Sequence, residues 1–95
     1  MTRDEILAAA RQCVSVDRAA TYGDARRNLA NVARLWTGYN GNTYSADDVA
    51  VMLALLKIGR HIAAPTHADN MVDAIGYLSL AGELSTTVDM DKITT

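Results

Sequence analysis

From Val49 through Leu56 every residue is apolar, and Lys57 and Arg60 then fall inside the same helical run. A segment this apolar predicts a helix packed on most of its circumference, which leaves its two cations partly buried. Buried charge is costly unless it is paired or used. Two carboxylates one helical turn apart, Asp69 and Asp73, follow a short connector at Ala64, Pro65 and Thr66. That quartet of charges constrains both the packing of the chain and the place where it does its work.

The rest of the chain reads as one small domain. Of its 95 residues 49% are hydrophobic, with no Phe and one Trp, so the core is expected to be aliphatic and methionine-rich. Four short helices cannot hide that much apolar surface in a monomer, which predicts a homo-oligomer. The net charge of −2 comes without any basic run, which argues against nucleic acid as a partner. Cys13 is the sole cysteine and sits in an apolar-periodic stretch, so it reads as core packing. The first residues lack the cationic-then-apolar order of a signal peptide, and Val49 to Leu56 is too short to span a bilayer. The expected setting is a reducing cytoplasm, away from membranes.

Four helical segments are legible. Thr2 and Glu5 form a capping box, and Ile6, Leu7, Ala10, Cys13 and Val14 recur at helical spacing to about Val16. Residues 17–23 read as a connector, and Asp24 caps a second helix whose stripe is Leu29, Val32, Ala33 and Trp36. The Gly- and Asn-rich stretch from Gly38 to Tyr44 is expected to break it. Ser45 caps a third helix, with Asp47 and Asp48 in the first turn where the helix dipole favours acids, running to about Ala63. Pro65 stops that helix, and a fourth is expected from Thr66 or His67 with a stripe of Met71, Ala74, Ile75, Leu78 and Ala81. Strand-like alternation is absent. The fold class is therefore all-α: a four-helix bundle-like single domain over residues 1–85, oligomeric, with an antiparallel hairpin of helices three and four. Residues 86–95 form a tail, flexible or docked on a neighbouring subunit.

In an antiparallel hairpin, residues equidistant from the turn stand at similar heights. Arg60 is thus expected opposite Asp69, and Lys57 opposite Asp73, with Tyr77 one turn beyond and His61 and His67 flanking the turn end. One reading is a pair of salt bridges that lock the hairpin. The other is a ligand pocket in which Lys57 and Arg60 hold phosphate oxygens, the carboxylates bind a divalent metal or sugar and base groups, and tyrosine stacks. His67, Asp69 and Asp73 belong to that second reading. Asp69 and Asp73 are hard oxygen donors suited to Mg2+, whereas Asp47 and Asp48 lie about 15 Å or more away along helix three. The connector around Arg18 and Tyr22, with Asn28 one turn into helix two, is a second candidate ligand surface. Neither a nucleophilic triad nor a phosphate-binding glycine loop is present.

Taken together, Arg18, Tyr22, Gly23, Asp24, Asn28 and Trp36, then Asp48 to Met52 and Leu55 to Arg60, then His67, Asp69, Asn70, Asp73 and Tyr77 resemble a family of short phage and prophage proteins of unknown function. The similarity spans about residues 5–84. A more distant resemblance is to the all-α, MazG-like nucleoside triphosphate pyrophosphohydrolases, helical oligomers that hold magnesium with carboxylates on paired helices. Asp69 and Asp73 echo the second acidic motif of that group. That group carries a glutamate motif on an earlier helix, whereas helices two and three here carry no glutamate, so either the metal site is rebuilt around Asp24, Asp48, Asp69 and Asp73 or the chemistry is lost.

Three functions compete on these residues. The first is a nucleotide-handling phage protein, catalytic as a Mg2+-dependent pyrophosphohydrolase or not. The second is non-catalytic sequestration of a nucleotide immune signal. The third is inhibition of a host enzyme through apolar helices.

Overall fold

The computed structural model describes residues 1–17 and 24–86, and among them there are four α-helices and no strand. They are α1 (Arg3–Gln12), α2 (Ala25–Asn40), α3 (Ala46–Ala63) and α4 (Asp69–Thr86), with a π-helical segment, Cys13–Asp17, continuing α1. The all-helical class expected from the sequence holds. The tail from residue 87 and the connector 18–23 lie outside the described residues, so the expectations for Arg18, Tyr22 and the tail do too.

Local chemistry sets the helix ends. Thr2 accepts from the Glu5 amide at 3.2 Å while Glu5 accepts from the Thr2 amide at 3.1 Å, the reciprocal capping box read from the sequence. The Thr2 amide bonded to the Glu5 carboxylate, and after it the Thr2 hydroxyl, hold that carboxyl below its ordinary ionisation range. The cap therefore contributes above that range and is lost as pH falls through the lowered value. Protection of the first-turn amides of α1, measured against their intrinsic exchange rates, is expected to fall on acidification through the lowered Glu5 value, and Glu5→Gln should abolish that dependence. Hydrogen exchange followed by NMR measures both.

Asp24 caps α2 through a 3.0 Å bond from the Arg26 amide. The expected break within Gly38–Tyr44 falls at Gly41: α2 runs through Gly38 and ends at Gly41, whose φ of 81° is left-handed. A single glycine only weakens a helix, whereas a left-handed residue terminates it. Gly41 then donates to the Thr37 carbonyl at 2.8 Å, and the Tyr44 amide donates to Thr37 Oγ1 at 3.2 Å. Tyr44 also meets Trp36 edge-to-face at 5.7 Å, fixing the α2–α3 corner and placing Trp36 against the core.

Ser45 caps α3 in a second reciprocal box with Asp48, at 3.3 Å and 3.0 Å. Its end at Ala63 is as read from Pro65, because the residue before proline is driven out of helical geometry, and Ala64 has φ −137° and ψ 69°. The turn is closed by the His67 amide donating to Ala64, and α4 starts at Asp69, two or three residues later than expected.

The dominant packing is α3 against α4, antiparallel across that turn. On this hairpin α2 lies chiefly against α3, while α1 and the π-helical segment pack against α4. The core is Leu29, Ala33, Val49, Ala50 and Ala81, with Val32, Leu53, Leu80 and Leu84 around it. It therefore sits where the beginning of α3 meets the end of α4 and the middle of α2, at the opposite end from the turn. On α4 the buried positions are Asn70, Val72, Ala74, Gly76 and Ala81, whereas Leu78 of the expected stripe is 47% exposed. The stripe is displaced because α4 is covered from two sides, by α3 and by α1.

Gly76 carries one of those contacts. A Cβ there would stand 3.2 Å from Val14 Cγ1, so the π-helical segment rests directly on the α4 backbone. At Gly82 an added Cβ would meet nothing within 4 Å. Gly82→Ala is thus expected to stabilise by about 0.5–1 kcal/mol through helix propensity. Gly76→Leu should destabilise by about 1–3 kcal/mol through overpacking against Val14. Urea midpoints that move in opposite directions are the expected outcome.

The structure corrects one expectation about α3. Its buried residues are Val49, Ala50 and Ala54, while Val51, Met52, Leu55, Leu56, Ile58 and Ile62 are exposed. One side of the helix is packed rather than most of it, because α2 reaches only its first half and α4 covers a single face.

Candidate functional site: a charged seam between α3 and α4

Beyond the core, the second half of α3 faces α4 with polar side chains. Lys57 and His61 are four apart and share one face of the helix, the continuation of the line through Ala50 and Ala54 that meets α4. From the other side, Asn70, Asp73 and Tyr77 recur at spacings of three and four on α4. The sequence puts a lysine where helix-helix packing excludes much of the solvent, and an aspartate at the matching height.

Lys57 Nζ stands 3.0 Å from Asp73 Oδ2, with the two side chains 20% and 37% exposed. The rung predicted by hairpin geometry is therefore present and half-sheltered. Asn70, one turn before Asp73, is buried, and Tyr77, one turn after, is half-buried. The His61 ring contributes a buried Nδ1 without a hydrogen-bond partner. An unpartnered imidazole nitrogen beside an ion pair is costly to leave, and it offers one acceptor or donor to whatever enters.

The second predicted rung does not form. Arg60 is exposed and makes no ion pair among the described residues, and Asp69 instead lies 3.8 Å from His67 Nε2. Helical geometry explains the failure. A step of four keeps His61 over Lys57, but a step of three turns Arg60 about 60° away from the seam. Asp69 occupies the first turn of α4, where an acid is favoured by the dipole and faces water at 77% exposure. Its contact with His67 exists as an ion pair only when the imidazole is protonated, and at this exposure contributes little to stability.

Of the predicted ligand-binding residues, the structure thus brings Lys57, Asp73 and Tyr77 to one seam and leaves Arg60, His67 and Asp69 at its outer edge. Asn28 lies on α2, half-buried, and belongs to a different face of the hairpin. Sequence reasoning put His61 only at the turn end and gave Asn70 no role of its own. The available signal was spacing, since each stands three or four residues from a member of the ion pair. A shallow depression of about 560 Å³ lies along α1, lined by Leu7, Ala8, Arg11, Gln12 and Ser15, and shares no residue with the seam.

Magnesium asks for several oxygen donors around one point. No group of three or more His, Cys, Asp or Glu side chains is gathered that way among the described residues. Asp73 is engaged by Lys57, and Asp69 faces solvent beside His67. No helix among the described residues is long and apolar enough to cross a membrane.

This all-α chain, with its charged hairpin, belongs to the family described as a domain of unknown function, DUF6378, whose model matches residues 5–85. Its relatives are phage proteins, as the resemblance implied. The chain is 38% identical over 85 residues to the Gene 55 protein of Mycobacterium phage L5, covering 88% of this chain and 54% of the relative. It is 34% identical over 74 residues to the Gene 55 protein of Mycobacterium phage D29, covering 78% and 49%. The chain thus spans about half the length of the curated relatives it matches. No solved structure matches it.

Proposed function

We propose that this phage protein handles nucleotides in the cytoplasm of the bacterial host by binding them, with Lys57 holding a phosphate at the α3–α4 seam. One observation carries the reading: a lysine side chain only 20% exposed, with its ammonium held at 3.0 Å by a single carboxylate oxygen. An ammonium has three donors, so Lys57 retains capacity for an anion while its charge stays positioned by Asp73. Arg60 lies one step around the helix, exposed, with its guanidinium fork available to the same phosphate from the solvent side. On the α4 side, Asn70 and Tyr77 have the groups that recognise a sugar or a base, and His61 Nδ1 supplies a further polar contact.

Retention is favoured over cleavage. Metal-assisted in-line attack on a phosphoanhydride draws on several ligating side chains around one point, and no group of three or more stands among the described residues. We therefore read the protein as a sequestering relative in chemistry, though not in reaction, of the MazG-like enzymes. The test is to incubate the purified protein with a nucleotide panel and magnesium, then denature it and separate the small molecules. Unchanged nucleotide recovered from the protein fraction is expected. Conversion to monophosphate and pyrophosphate would replace sequestration by catalysis, and no retained nucleotide would end the nucleotide reading.

A further inference from the structure

The exposed face of α3 asks for a cover. Val51, Leu55, Ile58 and Ile62 follow one another at helical spacing, and Met52 with Leu56 form the adjoining row, at exposures from 38% to 77%. Gly59 continues that second row with nothing within 4 Å of an added Cβ, leaving an open notch in the middle of the apolar surface. These side chains expose on the order of 500 Å² per chain, at the upper end of what monomers leave uncovered.

We propose that this face is covered by the same face of a second copy of the chain, with the two α3 helices antiparallel about a two-fold axis near Ala54. Charge placement selects this occupant. Asp48, which also closes the Ser45 cap, stands at the beginning of the apolar face, and Arg60 lies on its flank toward the other end, both exposed and twelve residues apart. An antiparallel copy related about position 54 sets each Asp48 at the height of the partner's Arg60 and each Met52 at the height of the partner's Leu56. A parallel copy would set like charge against like, which is unfavourable. Two such patches bury on the order of 1,000 Å² from their apolar residues alone, and the rim brings the total within the range of specific interfaces. Gly59 lets the backbones approach, as small residues do between packed helices. This proposal does not rest on the nucleotide reading: Lys57 and His61 face α4 on the other side of α3, and Arg60 alone is used by both.

Sedimentation velocity of the full chain at tens of micromolar is expected to give twice the 10.2 kDa chain mass. Leu55→Glu and, independently, Ile62→Lys should give the monomer mass with helical circular dichroism intact. The decisive step uses charge reversal. Asp48→Lys and Arg60→Glu should each weaken self-association about tenfold or more, equivalent to about 1.4 kcal/mol. Mixing the two variants should restore a heterodimer, since both cross-pairs then join opposite charges. A monomeric wild-type chain, a Leu55→Glu and Ile62→Lys pair that keep the wild-type mass, or a mixture that fails to heterodimerise would each overturn the proposal.

Discussion

Replacing Leu29 by alanine is expected to lower the unfolding free energy by about 3 kcal/mol. Leu29 is 1% exposed, and it and Val49 are the largest fully buried side chains. The rest of the core cluster is alanine, so few large apolar groups hold α2 to the hairpin. A small domain has a total stability of only about 5–15 kcal/mol, so the loss would be a large share of it. Leu35, at 71% exposure on the same helix, is the control, and its alanine variant should change stability by less than about 0.5 kcal/mol. Urea unfolding followed by circular dichroism separates the two. Equal costs at the two positions would place the core elsewhere.

The second large effect concerns affinity. Lys57→Met should weaken nucleotide binding at least about tenfold while leaving the fold largely intact, because a methionine replaces the stem and removes the donors. The accompanying loss of stability should stay near about 1 kcal/mol, since Asp73 is 37% exposed and water re-solvates it once Lys57 is gone. Asp73→Asn should act differently, keeping the shape of the seam while freeing the ammonium from its carboxylate. A seam that serves only as a lock would show the reverse balance, with unfolding and no change in any affinity.

Much of this was legible in the residues themselves. Thr2 with Glu5 and Ser45 with Asp48 announce helix starts by chemistry that needs no tertiary partner, and Pro65 announces an end. Lys57 and Asp73 could be paired from their distances to the turn alone, because antiparallel helices equate sequence offset with height. What sequence could not give was rotation about each helix axis. Arg60 and Asp69 satisfy the height rule yet point to the outer edge, and α4 buries Val72 and Gly76 because α1 lies on its second side. The break within Gly38–Tyr44 was legible, but not that its left-handed residue is Gly41 rather than Gly38. The wide apolar circumference of α3 was read as core because a lone sequence does not say how far its neighbours reach.

The central claim is that the half-sheltered cation of the seam holds a nucleotide phosphate. Isothermal titration of nucleoside mono-, di- and triphosphates into the wild-type chain and into Lys57→Met tests it most directly. Saturable binding to the wild type is expected, with affinity reduced about tenfold or more in the variant at unchanged helicity. Equal affinities for the two proteins, or no heat of binding from any nucleotide to the wild type, would contradict it.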